Sequence, residues 1–455
     1  MKAGDTKGTN KVSQGESTDV PDTDTVITNR EKNASSNTVT IETNDKNDKV
    51  EVTLKDVNID TSSRNKAAVS VTGEGDTNIK LDGDNALKSD IYRSGIYGSG
   101  SGSLTISGGT VTANGDDGGR GISSSGSVTI SGGSTVTANG GNGTISGGDG
   151  ICSNGGVTIS GGSTVTANGG NGGSLVGGDG IRSGGGLTVS DGTVTAKGGN
   201  GDSKDGYGGD GIRSGGVITI SGNTVNAAGG YGGKVGGYGI CSFDRVAISG
   251  GTVEAAGGNG STGGGSGIYS SVIDLSGSLE LTAKAGSPNG KALLQAGHEL
   301  DLDTIKDKLG PGAKVTVTDA DGKVNQVSIP RPVEPEEPVI PEESSSSSDG
   351  GSATPSTPAS PLPGLTVTDK SGAVISYTST QSGNTLTVCV GRLTASLHVS
   401  LAALRQLRAE GIETITFQTI LCSTTLSVDE LLAMGGEDAE AVLTHRLTDS
   451  SLTVG

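Results

Sequence analysis

Aspartate returns at one fixed position of a repeated sequence in the middle of the chain. Asp149, Asp179 and Asp210 each stand two residues before the isoleucine of a Gly-Ile pair. If successive repeats stack as β-strands, the three carboxylates lie about 5 Å apart, a spacing at which like charges repel one another. Clustered carboxylate oxygens are the ligands of Ca²⁺, so these residues are a candidate calcium site. Alternatively, each aspartate forms a solvated turn before glycine.

Arginine and tyrosine side chains near these aspartates could bind an acidic sugar. Arg182 and Arg213 each follow the isoleucine of a repeat, so they occupy the same outward position of adjacent repeats. A guanidinium group binds a carboxylate through two hydrogen bonds, which suits uronate sugars. The same arginines could instead neutralise the aspartates, or serve a lyase. The candidate aromatic residues of a glycan-binding patch are Tyr207, Tyr231 and Tyr238.

A repeat of about 28 residues would position all of these side chains. Each repeat holds three short segments in which apolar and small polar residues alternate, for example Gly180–Ser183, Leu104–Gly109 and Thr135–Gly141. This alternation is typical of strands with one buried face, and a fixed period of this size indicates a solenoid. We therefore predict an all-β fold, a right-handed parallel β-helix over residues 37–290. The Gly-Ile pairs contain Ile96, Ile122, Ile151, Ile181, Ile212, Ile240 and Ile268.

Two further features of the repeat distinguish one edge and one face of the predicted solenoid. The glycine-rich loop after the third segment takes up most of the variation in repeat length, and Lys197–Asp210 is its longest copy. Such insertions gather on one edge, often the binding edge. Thr-x-Thr pairs recur in the third segment until Asn226 and Glu254 interrupt them. Flat threonine arrays occur on ice-binding β-helices, although threonine is also favoured on any solvent-facing strand.

The ends of the chain differ from the repeats. Residues 1–36 are polar and are predicted to be disordered, and residues 291–329 are predicted to cap the solenoid. A disordered Pro/Glu/Ser linker follows over residues 330–364. Residues 365–455 are predicted to form a small α+β module in which Ser400–Gly411 is a capped helix. We expect no catalysis there, and we expect structural roles for His398 and His445.

Composition limits the classes of partner. The net charge of −18 argues against nucleic acid or an anionic membrane as the main partner. No apolar run approaches the roughly 20 residues of a membrane span, so we expect no membrane insertion. The first residues lack the apolar core of a signal peptide, so an exported protein would carry its leader outside this chain. Cys389 and Cys422 could pair in an oxidising compartment, or all four cysteines could be free thiols.

The ordered set of motifs resembles the clostridial-type carbohydrate-binding domain proteins that have a pectate-lyase-like parallel β-helix. The matching stretches are "VTLKDVNID" at 52–60, "DGDN" at 82–85 and the "LTISGGTVTA" type of repeat that begins at Leu104. The resemblance covers residues 37–285. It implies a secreted or cell-surface protein that binds plant-type or acidic polysaccharide without cleaving it, with calcium as an optional ligand.

We therefore expect an extracellular, non-enzymatic solenoid that binds an acidic polysaccharide or a host or cell surface. Ca²⁺ is the one cofactor that the sequence suggests. Two alternatives remain. One is a calcium-assisted polysaccharide lyase on the same fold, and the other is a purely structural surface stalk.

Overall fold

The computed structural model describes residues 1–330 and 364–454, with gaps at Lys7 and Lys32 and, near the C-terminus, at 370–373, 376, 383, 391–393, 420–422, 435–438 and 446–449. The chain divides into two compact units, residues 1–337 and 338–455. Most of the predicted linker, residues 331–363, and Cys422 lie outside the described residues.

The first unit is a parallel β-solenoid of about 12 turns. Each regular turn contributes three short strands, which we call the first, second and third strands, and each strand pairs in parallel with its counterpart in the next turn. The first strands are Val39–Thr43, Val69–Gly73, Ile96–Gly98, Ile122–Ser124, Ile151–Ser153, Ile181–Ser183, Ile212–Ser214, the start of Ile240–Ile248, the start of Ile268–Leu275, and Leu293–Gln295.

Long strands in the irregular turns combine two of these positions. The second strands are Val26–Thr28, Lys49–Lys55, the start of Asp76–Ile91, the start of Leu104–Asp116, Val128–Ser131, Val157–Ile159, Leu187–Val189, Ile218–Ile220, and the ends of Ile240–Ile248 and Ile268–Leu275. The third strands are Asn58–Asp60, the ends of Asp76–Ile91 and Leu104–Asp116, Thr135–Asn139, Ser163–Asn168, Gly192–Lys197, Thr224–Ala228, Gly251–Ala256, Leu279–Lys284 and Lys314–Thr318.

The core is a narrow column because alternate residues of every strand point inward and stack on identical or similar residues. Ile151 pairs with Ile181 and Ile181 with Ile212, and all three side chains are fully buried. Val165 and Ala167 occupy the same inward positions of the third strands and are also fully buried. No coil is stable alone, so the fold depends on stacking between neighbours. The predicted all-β parallel solenoid is confirmed.

The prediction of disorder over residues 1–36 is wrong for this structure. This segment forms the strands Lys2–Ala3, Asn10–Gln14, Ser17–Asp22 and Val26–Thr28. Val26–Thr28 pairs in parallel with Lys49–Lys55, so it extends the second-strand column by one coil. Backbone pairing to an open solenoid end orders a polar segment that composition alone marks as disordered. The buried Asn10 amide assists by donating to the Glu51 carbonyl at 2.7 Å.

The solenoid ends in elements that interrupt its period. His298–Glu299 pairs antiparallel with Leu293–Gln295, which is the first strand of the final turn. A 3₁₀ helix follows over Leu302–Lys308. The side chain of Asp301 caps that helix by accepting from the Asp303 N–H. Val324–Ser328 then pairs antiparallel with Lys314–Thr318, which is the third strand of the final turn.

The C-terminal unit is small and β-rich with two helices. Helix α1 spans Leu401–Ala409 and helix α2 spans Val428–Met434. Ser400 caps α1 as predicted, since its side chain accepts from the Ala403 N–H. The two four-stranded sheets contain Leu365–Thr368, Ala395–Ser400, Glu440–His445 and Ser450–Val454, and Thr378–Ser382, Thr385–Cys389, Thr414–Gln418 and Ser423–Ser427. The predicted α+β module is confirmed.

Candidate functional site

The residue after each Gly-Ile isoleucine forms an outward column along the first strands. Cys152 pairs with Arg182, and Arg182 pairs with Arg213. Arg213 in turn pairs with Cys241. The two candidate arginines therefore lie on adjacent coils, about 4.8 Å apart at the backbone. The same column contains Tyr97, Ser123 and Tyr269.

A second column, two residues before each isoleucine, is a ladder of side-chain to backbone hydrogen bonds. Asp149 Oδ1 accepts from the Asp179 N–H at 2.9 Å, and Asp179 Oδ1 accepts from the Asp210 N–H at 2.8 Å. Asp210 Oδ1 accepts from the Tyr238 N–H at 2.7 Å. The three aspartates are only 4 to 6% exposed. Each therefore satisfies a backbone donor of the next coil, and none is a solvated turn residue.

Two of the three ladder carboxylates are paired with arginine, and the middle one is not. Arg120 Nε lies 3.0 Å from Asp149 Oδ2, and Arg213 Nη1 lies 3.4 Å from Asp210 Oδ2. Arg182 is exposed and makes no ion pair with any described residue. Of the two candidate arginines, Arg213 thus partly neutralises the ladder, whereas Arg182 is free to bind an external anion.

Burial disfavours ionisation of two ladder carboxyls, those of Asp179 and Asp210. Loss of solvation, reinforced by the charges of Asp210 and Asp149, raises the pKa of Asp179 to about 8. Loss of solvation also raises the pKa of Asp210 to about 6, opposed by the Tyr238 N–H and by Arg213. These two groups interact, so their protons are released as a coupled pair. Burial therefore favours the neutral form of the Asp179 carboxyl.

Burial also keeps Cys152 and Cys241, which lie in the same column as Arg182 and Arg213, in the unreactive thiol form. Burial raises the pKa of the Cys152 thiol to about 11 and that of the Cys241 thiol to about 12. Only the thiolate is a good nucleophile or metal ligand, so both side chains act as small buried groups. Cys389 is partly exposed, and the proposed pairing partner Cys422 lies outside the described residues.

Most carboxylate oxygens of the ladder already have a protein partner. One oxygen of each carboxylate already accepts a backbone N–H, and the second oxygens of Asp149 and Asp210 face arginine. Among the described residues, no group of three or more His, Cys, Asp or Glu side chains could hold a metal ion. The ladder residues instead fit the requirement that buried polar groups be hydrogen-bonded.

Millimolar Ca²⁺ is therefore expected to leave the melting temperature of the protein unchanged. A ligand that binds only the folded state would raise it, so differential scanning fluorimetry with Ca²⁺ and with EDTA is the measurement. An EDTA-reversible rise that disappears in Asp179→Asn would instead assign a calcium site to the ladder.

The candidate tyrosines lie in two different places. Tyr238 is the ladder residue that follows Asp210, and its ring stacks on Tyr269 with centroids 5.0 Å apart. Phe243, which is 53% exposed, lies beneath the Arg213 guanidinium at 5.1 Å from the ring centroid. We call Arg182, Arg213, Tyr238, Phe243 and Tyr269 the arginine face.

Sequence reasoning missed two members of the arginine face. Tyr269 stands in the same slot as Arg182 and Arg213, so alignment on the Gly-Ile pairs could have found it. Phe243 lies where the pairing of Ile240–Ile248 with Ile268–Leu275 shifts register, between Ser242 and Arg245, so no repeat position marks it.

Tyr207 and Tyr231 belong instead to the glycine-rich loops, which form a packed, two-armed projection. We call it the glycine wing, and it comprises residues 140–148, 169–178, 198–209, 229–237 and 257–265. In each loop the chain runs outward along one arm and returns along a second, and backbone hydrogen bonds link the arms of successive coils. The Gly170 N–H of one outgoing arm donates to Gly148 O of the preceding returning arm, and the Gly178 N–H of the next returning arm donates to Gly170 O, both at 2.8 Å. The series continues from Gly199 to Gly178 in the next coil.

The glycines of the wing are required by space. A Cβ atom at Gly170 would lie 2.0 Å from the Gly141 carbonyl oxygen, and one at Gly178 would lie 1.9 Å from that of Gly148. The predicted variable loop is therefore a densely packed element. Tyr207 and Tyr231, 45% and 48% exposed, project from it, and Lys234 Nζ lies 5.7 Å from the Tyr207 ring centroid.

The protein is therefore a parallel β-solenoid that carries the arginine face on its first strands and a glycine wing on its loops. No family model, curated protein or solved structure matches the chain. No described helix has the length and apolar character that crossing a bilayer requires.

Proposed function

We propose that the protein is an extracellular, non-enzymatic solenoid that binds an acidic polysaccharide on the arginine face. The observation that carries this proposal is the position of Arg182, an exposed guanidinium without a described carboxylate partner, directly beside Arg213 on the next coil. A polymer lying along the solenoid axis would meet two guanidiniums, on two successive coils. The resemblance of residues 37–285 to carbohydrate-binding β-helices supports the same ligand class.

The charge around Arg182 favours an anion in spite of the acidic chain. Arg120 and Arg213 each pair with a ladder carboxylate, whereas burial favours the neutral form of the Asp179 carboxyl between them. The local excess of positive charge is therefore centred on the one arginine that faces solvent unpaired. Guanidinium groups bind planar carboxylates in a bidentate manner.

Aromatic rings next to the arginines supply the second element of sugar recognition. Phe243 and the stacked Tyr238–Tyr269 pair border Arg213, and aromatic faces offer apolar surface at low conformational cost. Tyr207 and Tyr231 stand apart on the glycine wing, so they extend the surface instead of forming its centre.

A binding role fits this face better than a lyase role. A general base must reach the proton that it abstracts, whereas the carboxylates beside Arg182 are buried and hydrogen-bonded. The neutral, buried Cys152 and Cys241 thiols offer no alternative base.

Removing both guanidiniums is expected to weaken polysaccharide binding by at least about tenfold, because each charge-assisted hydrogen bond contributes about 1.5–3 kcal/mol. The experiment compares wild type with Arg182→Ala/Arg213→Ala by affinity electrophoresis in polygalacturonate, alginate and a neutral glucan, after a glycan array has chosen the ligand.

The matched control is Lys197→Ala/Lys284→Ala, which removes the same charge from exposed positions of the third strands. It should bind as wild type does. Equal retardation of both double variants would mean that net charge, and not the arginine face, determines binding. Rising ultraviolet absorbance from unsaturated product would replace the proposal with the lyase alternative.

A further inference from the structure

A flat, uncharged array of threonines covers the third strands, away from the arginine face. Its outer column is exposed over most of its length, its inner column is half-buried, and the valines and alanines between them are buried. The outer column contains Thr110, Thr135, Thr164, Thr193, Thr224 and Thr252, and the inner column contains Thr112, Thr137, Thr166 and Thr195. We call these ten residues the threonine array.

The array is regular because the strands beneath it pair without a shift in register. Thr135 pairs with Thr164 and Thr137 with Thr166, and the strands from Leu104–Asp116 to Thr224–Ala228 continue this pattern one-to-one. Neighbouring strands repeat every 4.8 Å or so, and alternate residues of one strand repeat about every 6.7 Å. The hydroxyls therefore form a two-dimensional lattice with fixed spacing.

The side chains of the array are stiff and face solvent with the same chemistry at every point. Threonine is β-branched, so its χ1 angle is restricted. Among the described residues, none of the array hydroxyls hydrogen-bonds a protein group. They are therefore free to bond water, and the neighbouring methyl groups fill the space between them.

Charge is absent from the array although the protein carries a net charge of −18. The outer column is bordered by Asp84 at one end and Glu280 at the other. The inner column is bordered by Ala86 at one end and by Asn226, followed by Glu254, at the other. Charged groups would orient water by their own fields and break a regular water layer. Beside the inner column, the amides of Asn139 and Asn168 donate to their neighbours at 2.8 Å, and the exposed Lys197 continues that column in the next coil.

We propose that the threonine array is a second binding surface, and that its ligand is the regular water lattice of an ice crystal. Oxygen atoms of ice repeat at distances close to both spacings of the array, so its hydroxyls and methyls can hold water in ice-like positions. This surface is independent of the arginine face and of the polysaccharide that it is proposed to bind.

Thermal hysteresis and ice-crystal shaping of the purified full chain test this inference. Wild type is expected to shape ice and to produce a gap between melting and freezing. Thr166→Tyr places a bulky ring in the centre of the array and should abolish most of that gap. Thr158→Tyr makes the same change in the same coil, on the second strand, and should keep it.

Unchanged melting temperatures of the two variants ensure that both remain folded. Absence of ice shaping by wild type overturns the proposal, and so does equal loss in both variants. Binding to crystalline chitin or cellulose that Thr166→Tyr abolishes, without ice shaping, also overturns it, because the array would then recognise a solid glycan. Loss of polysaccharide binding at the arginine face has no bearing on this result.

Discussion

Replacing Gly170 by alanine is expected to destabilise the solenoid by about 3 kcal/mol or more, the upper range for forcing extra volume into a packed interior. The new Cβ would lie 2.0 Å from the Gly141 carbonyl oxygen and 2.4 Å from its carbon. Both are backbone atoms, which no change of rotamer can move. The Gly170 N–H also donates to Gly148 O, so a shift that relieves the overlap breaks a hydrogen bond of the wing.

Chemical denaturation of the full chain, followed by circular dichroism, measures this effect as a lower midpoint. The matched control is Gly263→Ala, in the same wing, where the nearest atoms to a new Cβ are the methyl carbons of Val235 at 3.9 Å. Alanine fits there and restricts the unfolded chain, so the control should equal or slightly exceed wild type. Equal midpoints for the two variants would refute the packed structure of the wing.

The strands could be predicted from the sequence because each alternates inward and outward residues and recurs in phase. Ile151, Ile181 and Ile212 fall at one position of the repeat and stack as expected. The N-terminal strands could not be predicted, since Asn10–Gln14 and Ser17–Asp22 are mostly polar and the short strand Val26–Thr28 is ordered by pairing to the next coil. Backbone pairing leaves no signal in a polar segment.

The glycine wing could not be predicted for a different reason. A pair of glycines is compatible with a flexible turn and with a segment packed too closely for any side chain, and the sequence does not distinguish them. The sequence therefore predicts one patch of Tyr207, Tyr231 and Tyr238, whereas Tyr207 and Tyr231 project from the wing. The repeat alone predicts that Arg182 and Arg213 lie side by side on adjacent coils, and their strand pairing confirms it.

The ladder was predicted in position but not in bonding. Alignment on the Gly-Ile pairs places Asp149, Asp179 and Asp210 in one column. Which atoms their carboxylates bind depends on the backbone direction before each isoleucine. That direction presents the N–H of the next coil to each Oδ1, and the burial that results raises the pKa values of Asp179 and Asp210.

Stability is expected to fall as pH rises from about 4 to about 8, and Asp179→Asn should remove much of this dependence. The folded protein holds the Asp179 proton up to a pKa of about 8, whereas the ordinary value is 3.8. Between these values the native state binds more protons than the unfolded chain, so raising the pH favours unfolding. One proton contributes a slope of about 1.4 kcal/mol per pH unit.

Asparagine is the substitution that isolates this charge. Its side-chain oxygen can still accept the Asp210 N–H, but it cannot ionise between Asp149 and Asp210. At pH 8 the variant should be more stable than wild type by at least about 1.4 kcal/mol, the equivalent of one pH unit. At pH 5, where wild-type Asp179 is protonated, the two proteins should differ little.

Urea denaturation at half-unit steps from pH 5 to pH 9 measures both curves. Asp202→Asn removes one exposed carboxylate from the glycine wing and should follow the wild-type curve. Two results would contradict the account of the ladder. One is a parallel fall of wild type and Asp179→Asn with pH, which would place the titration elsewhere. The other is a variant less stable than wild type at pH 8, since an ionised Asp179 would then stabilise the fold.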